Sequence, residues 1–142
     1  QRVRDGLATL DYINSQSFQN NGRIVVSGCG VGGVVALMIA FLSDRVDAVI
    51  TWDCLAKFED LLQPEQYAWS DDIFFPEILK YADLPEIVKL LDKDIVIYNP
   101  LDGNKGSLAD QSIDLLNREA NKLVYHAKNI SSDIIKTLLF NA

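Results

Sequence analysis

Residues 23–42, Arg23-Ile-Val-Val-Ser-Gly-Cys-Gly-Val-Gly-Gly-Val-Val-Ala-Leu-Met-Ile-Ala-Phe-Leu42, decide the fold. Ile24, Val25 and Val26 are β-branched and consecutive, the pattern of a strand buried on both faces. Glycines at 28, 30, 32 and 33 follow, and an apolar stretch then runs on to Leu42. Glycines between a strand and a helix let the two backbones approach closely and let the chain turn where a side chain would obstruct it. The stretch therefore reads as a strand, a sharp corner and a core helix. Val31–Leu42 is far short of the roughly 20 residues a membrane span requires.

Working outward, Gln1–Ile13 has Val3, Leu7, Leu10 and Ile13 on one helical face, and Asn14–Gly22 is a polar connector to the strand Arg23–Ser27. On the other side, Ser43-Asp44-Arg45 turns the chain into a second buried strand, Val46–Trp52, which ends at Asp53. Residues 54–92 carry no strand signal. Short helical runs at Leu55–Leu62, Pro76–Tyr81 and Pro85–Leu91, broken by Pro64, Pro76 and Pro85, mark them as an excursion off the sheet. Asp94–Asn99 is a third strand and Pro100–Gly106 a turn-rich loop. Ser107–Asn121 is an amphipathic helix with Ser107 as its N-cap, and Lys122–His126 is a fourth strand. Ser131-Ser132-Asp133 caps a last helix, Ile134–Phe140. Alternating strands and helices predict an α/β fold: a mostly parallel four-stranded sheet, flanked by helices in three layers, with sites beyond the strands' carboxyl ends.

Composition narrows the function. The chain has 142 residues, 49% of them hydrophobic, enough for one core, so residues 1–142 are expected to form a single α/β domain or part of one. A helix already under way at Gln1 suggests a piece of a longer polypeptide. A net charge of -7 with no basic stripe excludes a general nucleic-acid or anionic-membrane binder, because neutralising phosphates takes clustered Lys and Arg. Two cysteines and one histidine, in no ligand spacing, give no case for a metal.

The corner fits two chemistries. Gly28, Gly30 and Gly33 satisfy G-x-G-x-x-G, the phosphate-binding turn of a dinucleotide site, and Asp53 lies about 20 residues further on, where an acid would bond a ribose hydroxyl. Gly28-Cys29-Gly30-Val31-Gly32 resembles the hydrolase elbow G-x-S-x-G, with glycine in place of the serine. A helix and connector ahead of the glycine strand count against the dinucleotide site, which opens its domain on that strand.

Beyond the corner, the chain resembles the C-terminal half of an α/β-hydrolase of the acetyl xylan esterase and dienelactone hydrolase kind. Gly6-Leu-Ala-Thr-Leu-Asp-Tyr-Ile13 is similar to the helix before the nucleophile strand, Arg23–Gly28 to that strand, and Gly32-Gly33 with Ala36-Leu37 to the helix after it. Val46-Asp-Ala-Val-Ile50 resembles the next strand. Tyr81-Ala-Asp-Leu-Pro85 followed by Ile95-Val-Ile-Tyr-Asn-Pro-Leu-Asp102 resembles the segment that carries the triad acid. The resemblance implies an esterase fold with Gly30 at the nucleophile's position, Asp102 at the acid's, and the Val31 N–H as one oxyanion donor, the other coming from an earlier loop. His126 is the one candidate for the histidine. It implies no cofactor, a small ester or carbohydrate ligand, and a pseudoenzyme, since Gly30 has no side chain to attack with. It also makes the strand 23–27 central, so a bare edge there would pair with a missing N-terminal half or with a second copy.

Each residue also has a plainer reading. Cys29 and Cys54 read as small core hydrophobes, with Cys29 packing inward. His126 reads equally as a hydrogen-bonded structural residue, and Asp102 as the turn-former of Asp102-Gly103. Trp69, Phe74 and Phe75 read as a satellite core or as the lining of a substrate pocket.

Overall fold

The computed structural model of the protein describes residues 1–16, 22–62 and 68–127. They form α1 (Arg2–Ser15), β1 (Val25–Cys29), α2 (Val31–Leu42), β2 (Ala48–Trp52), α3 (Leu84–Leu90), β3 (Asp94–Tyr98), α4 (Asp110–Ala120) and β4 (Tyr125–His126). The strands make one all-parallel sheet in the order β1-β2-β3-β4, so the protein is α/β, with a parallel sheet flanked by helices. Parallel neighbours need crossovers, and α2, the excursion with α3, and α4 provide them in turn. The helix expected over Ile134–Phe140, with its cap, lies outside the described residues.

Alternation along the strands sorts side chains to two faces. Val26, Val49, Ile95, Ile97 and Tyr125 join the core shared with the four α-helices, whereas Ile50, Val96 and Tyr98 form a second, smaller cluster with Val25 and Trp52. Apolar residues on both faces fit a sheet that is the middle layer of three. α2 lies at the centre, with Val34, Ala36, Leu37 and Ala40 almost wholly buried, which is why its sequence shows no polar face. Burying each of its larger apolar side chains is worth about 1.5–3 kcal/mol.

Glycines bring α2 close to the sheet. A Cβ on Gly28 would stand 2.2 Å from the Gly32 carbonyl oxygen, and one on Gly33 would stand 2.7 Å from the Cβ of Cys54. The first turn of α2 therefore rests on β1 and on the chain just beyond β2.

Several boundaries differ from the sequence reading. β1 begins and ends two residues later than Arg23–Ser27, because Gly28 and Cys29 still pair with Thr51 and Trp52 and the chain turns only at Gly30. Val46 lies before β2, although it is buried, and β4 shrinks to Tyr125–His126. Leu55–Leu62 contains a 3₁₀ turn, Phe58–Leu61, and Pro76–Tyr81 another, Ile78–Lys80. α3 is a full helix because Asp83 caps it in a reciprocal box with Glu86. The Asp83 carboxylate also accepts the N–H groups of Phe58 and Glu59, at 2.6 and 3.0 Å, and so ties the excursion to α3. Ser107 is not the cap of α4. The helix starts at Asp110 with Ala109 as its N-cap and no side-chain cap bond, while Ser107 is held in an isolated bridge to Leu101.

Among the described residues β1 has a strand on one side only. Its residues are half-buried or exposed, in contrast to Ala48–Thr51 of β2, which are all buried.

Two substitutions test this packing. Gly28→Ala is expected to cost about 1–3 kcal/mol or more, since its clash is with backbone, while Gly32→Ala, whose Cβ meets nothing within 4 Å, is expected to be neutral or stabilising. Ala109→Ser should stabilise by about 0.5–2 kcal/mol by supplying the cap that α4 lacks. Urea denaturation read by circular dichroism measures all three.

Candidate functional site

Strand register sets four residues level at the carboxyl end of the sheet: Cys29, Trp52, Tyr98 and His126. The residue after each of the first three strands has positive φ: Gly30 at 57°, Asp53 at 49° and Asn99 at 46°. Each turns its N–H onto the next strand, Gly30 to the Trp52 carbonyl at 2.9 Å, Asp53 to that of Tyr98 at 3.0 Å, and Asn99 to that of His126 at 2.8 Å. Glycine enters this region without penalty and Asn and Asp enter it most readily among the rest, so the residue types follow from the backbone.

Gly30 is the corner. With φ 57° and ψ −125° it is the N-cap of α2, and its carbonyl accepts the Gly33 N–H at 3.0 Å. A Cβ built on it meets nothing within 4 Å, so a side chain here would be strained at the backbone yet would project into open space. Val31 is the first residue of α2, and its N–H is one of the four that a helix start leaves without an intrahelical acceptor.

Asp53 is held from two sides. Asn99 Nδ2 donates to Oδ1, and Cys29 Sγ lies 4.0 Å from Oδ2. Asn99 is buried, and the sequence reading passed over it. Its signal was an Asn at a strand end, where a left-handed residue is needed. Cys29 does not pack inward as expected. It is exposed, since β1 is an edge strand and no described strand lies beyond it. Cys54 is the core thiol: burial pushes its pKa up to about 11 against the opposing pull of its 3.2 Å contact with Thr51 Oγ1, which keeps it protonated and inert.

Asp102 closes its own turn. Its Oδ1 accepts the N–H groups of Asn104 at 2.9 Å and Gly106 at 2.8 Å, its own N–H donates to the Gly106 carbonyl at 2.9 Å, and its carbonyl accepts Trp69 Nε1–H at 2.8 Å. Trp69 is thus a core residue that braces the acid loop, and Phe75 packs on Phe58 at 5.7 Å between ring centres. Asp60, half-buried behind this loop, is held above the usual carboxylate range by burial, against the pull of Lys57.

His126 packs tilted at 39° against Tyr98, with ring centres 5.5 Å apart, and Tyr98 stacks in turn on Trp52 at 6.3 Å. Among the described residues no hydrogen bond joins His126 to Asp102, so the two are not assembled as a base and its orienting acid. Burial lowers the His126 pKa and raises that of Tyr98, whose hydroxyl is buried with no hydrogen-bond partner among the described residues. No group of His, Cys, Asp or Glu among the described residues is arranged to hold a metal ion.

The dinucleotide reading requires more than glycines. In that architecture the strand order reverses beside the glycine strand, and the ligand lies at the reversal. Here the described order runs one way from β1 to β4, and the Asp53 carboxylate is engaged by Asn99.

A pH series isolates His126. Its folded pKa lies below the ordinary 6.5, so between those two values the unfolded chain binds more protons. The His126 contribution is therefore present above pH 6.5 and is lost as pH falls through that window. His126→Gln is expected to remove that part of the pH dependence, as the difference between urea midpoints of the two proteins from pH 5 to 8. An unchanged difference across the range would place the ring in solvent.

No known protein family, curated protein or solved structure matches the chain.

Proposed function

We propose that this chain is an esterase-type α/β-hydrolase unit, akin to the C-terminal half of an acetyl xylan esterase or dienelactone hydrolase, that has lost its nucleophile and works as a binding rather than a turnover module. The observation that carries the reading is the Gly30 corner: a positive-φ residue between strand and helix, its Cβ direction open, with the first amide of α2 beside it. That is where an elbow nucleophile and one oxyanion donor belong. Asp102 in its closed turn after β3 and His126 at the end of β4 keep the chain order nucleophile, acid, histidine. The described contacts leave that histidine on Tyr98 instead of on the acid. Loss of a triad nucleophile costs on the order of a millionfold in turnover, so what remains is recognition of a small ester or carbohydrate, or of a protein partner.

Hydrolysis of p-nitrophenyl acetate is therefore expected to stay at the level of a Cys29→Ala, Asp102→Asn double variant. Turnover that falls in that variant would overturn the reading. Gly30→Ser is expected to lose about 1–3 kcal/mol of stability from its positive φ and to gain no activity, because the acid and histidine are not joined.

The second reading, a dinucleotide module built on Gly28, Gly30, Gly33 and Asp53, rests on the complete fingerprint and the place of Asp53 at the end of β2. NAD is expected to give no thermal shift. A ligand at 100 times its Kd would stabilise by about 2.7 kcal/mol, which a melt resolves. A shift abolished by Asp53→Ala would favour this second reading.

Among the described residues no strand pairs with the outer side of β1, which supports a partner strand there, along the expected span 23–27. Ile24, Val25 and Val26 are apolar and half-buried, and no Lys or Pro guards Val25–Cys29. Pairing with a second copy or with a complementary half is expected to bury at least about 1,000 Å². Sedimentation should show association that Val25→Lys weakens while far-UV circular dichroism is unchanged. A monodisperse monomer at tens of micromolar would reject self-pairing.

A further inference from the structure

We draw no further inference here: the strongest candidate, the apolar groove of about 410 Å³ between Phe58, Leu61, Phe75 and Ile78 in the excursion between β2 and β3, has nothing in the structure to show what covers it.

Discussion

The contact between the first turn of α2 and the sheet beneath it sets the rest of the structure. Gly28 meets the Gly32 carbonyl, and Gly33 meets the Cβ of Cys54, at distances that leave no room for a Cβ on either glycine. This close approach brings Val34 and Leu37 of α2, both almost wholly buried, into the same core as Val26 and Val49 of the sheet. A protein interior packs as densely as an organic crystal, so one methyl group at Gly28 would be felt through the whole stack. The same contact aims the corner. With both flanks of the turn pinned, Gly30 is left facing outward at the carboxyl end of the sheet.

That end is organised by backbone before side chains enter. Three successive strands stop in the same way, with a positive-φ residue whose N–H bonds to the neighbouring strand. The result is a terrace in which Gly30, Asp53 and Asn99 occupy equivalent steps. Asn99 supplies an amide to the Asp53 carboxylate, which is a structural use of the acid that the dinucleotide fingerprint would assign to a ribose. Conformation therefore accounts for Asp53 without a ligand. The terrace also explains the exposure of Cys29, which stands at the outermost step with no described strand beyond it.

Legibility in the sequence followed physical range. The buried strands and α2 were readable because their apolar runs report burial directly, and the capping box of α3 could have been read from Asp83 and Glu86. The start of α4 was misread because a serine attracts a capping assignment, whereas Ser107 is held in a bridge to Leu101, residues away in the chain. The carboxyl end of β1 is hard to read because glycine commonly ends a strand, whereas here Gly28 and Cys29 remain paired and the strand stops at the positive φ of Gly30. Chain order makes the place of Gly30 in the corner, of Val31 at the start of α2 and of Asp102 in the loop after β3 legible. The engagement of Asp53 by Asn99, and of His126 by Tyr98, depends on register between residues 28 to 46 apart in the chain, which no local pattern encodes.

A glycine at the corner follows from the balance between strain and chemistry. A side chain at φ 57° and ψ −125° costs on the order of 1–3 kcal/mol, a large share of the 5–15 kcal/mol by which a domain is stable. On the proposed reading, an active elbow would bear that strain because the nucleophile must stand clear of the sheet, and it would be tolerated only while catalysis maintained it. Where His126 packs against Tyr98 and the Asp102 carboxylate is turned to its own loop, a nucleophile would have no base oriented by that acid to activate it. The strain would then bring no return, and glycine removes it without disturbing the turn, because the Gly30 N–H and carbonyl keep their bonds to Trp52 and Gly33. The corner is thus set by packing at Gly28 and Gly33, and a glycine between them meets the positive φ without strain.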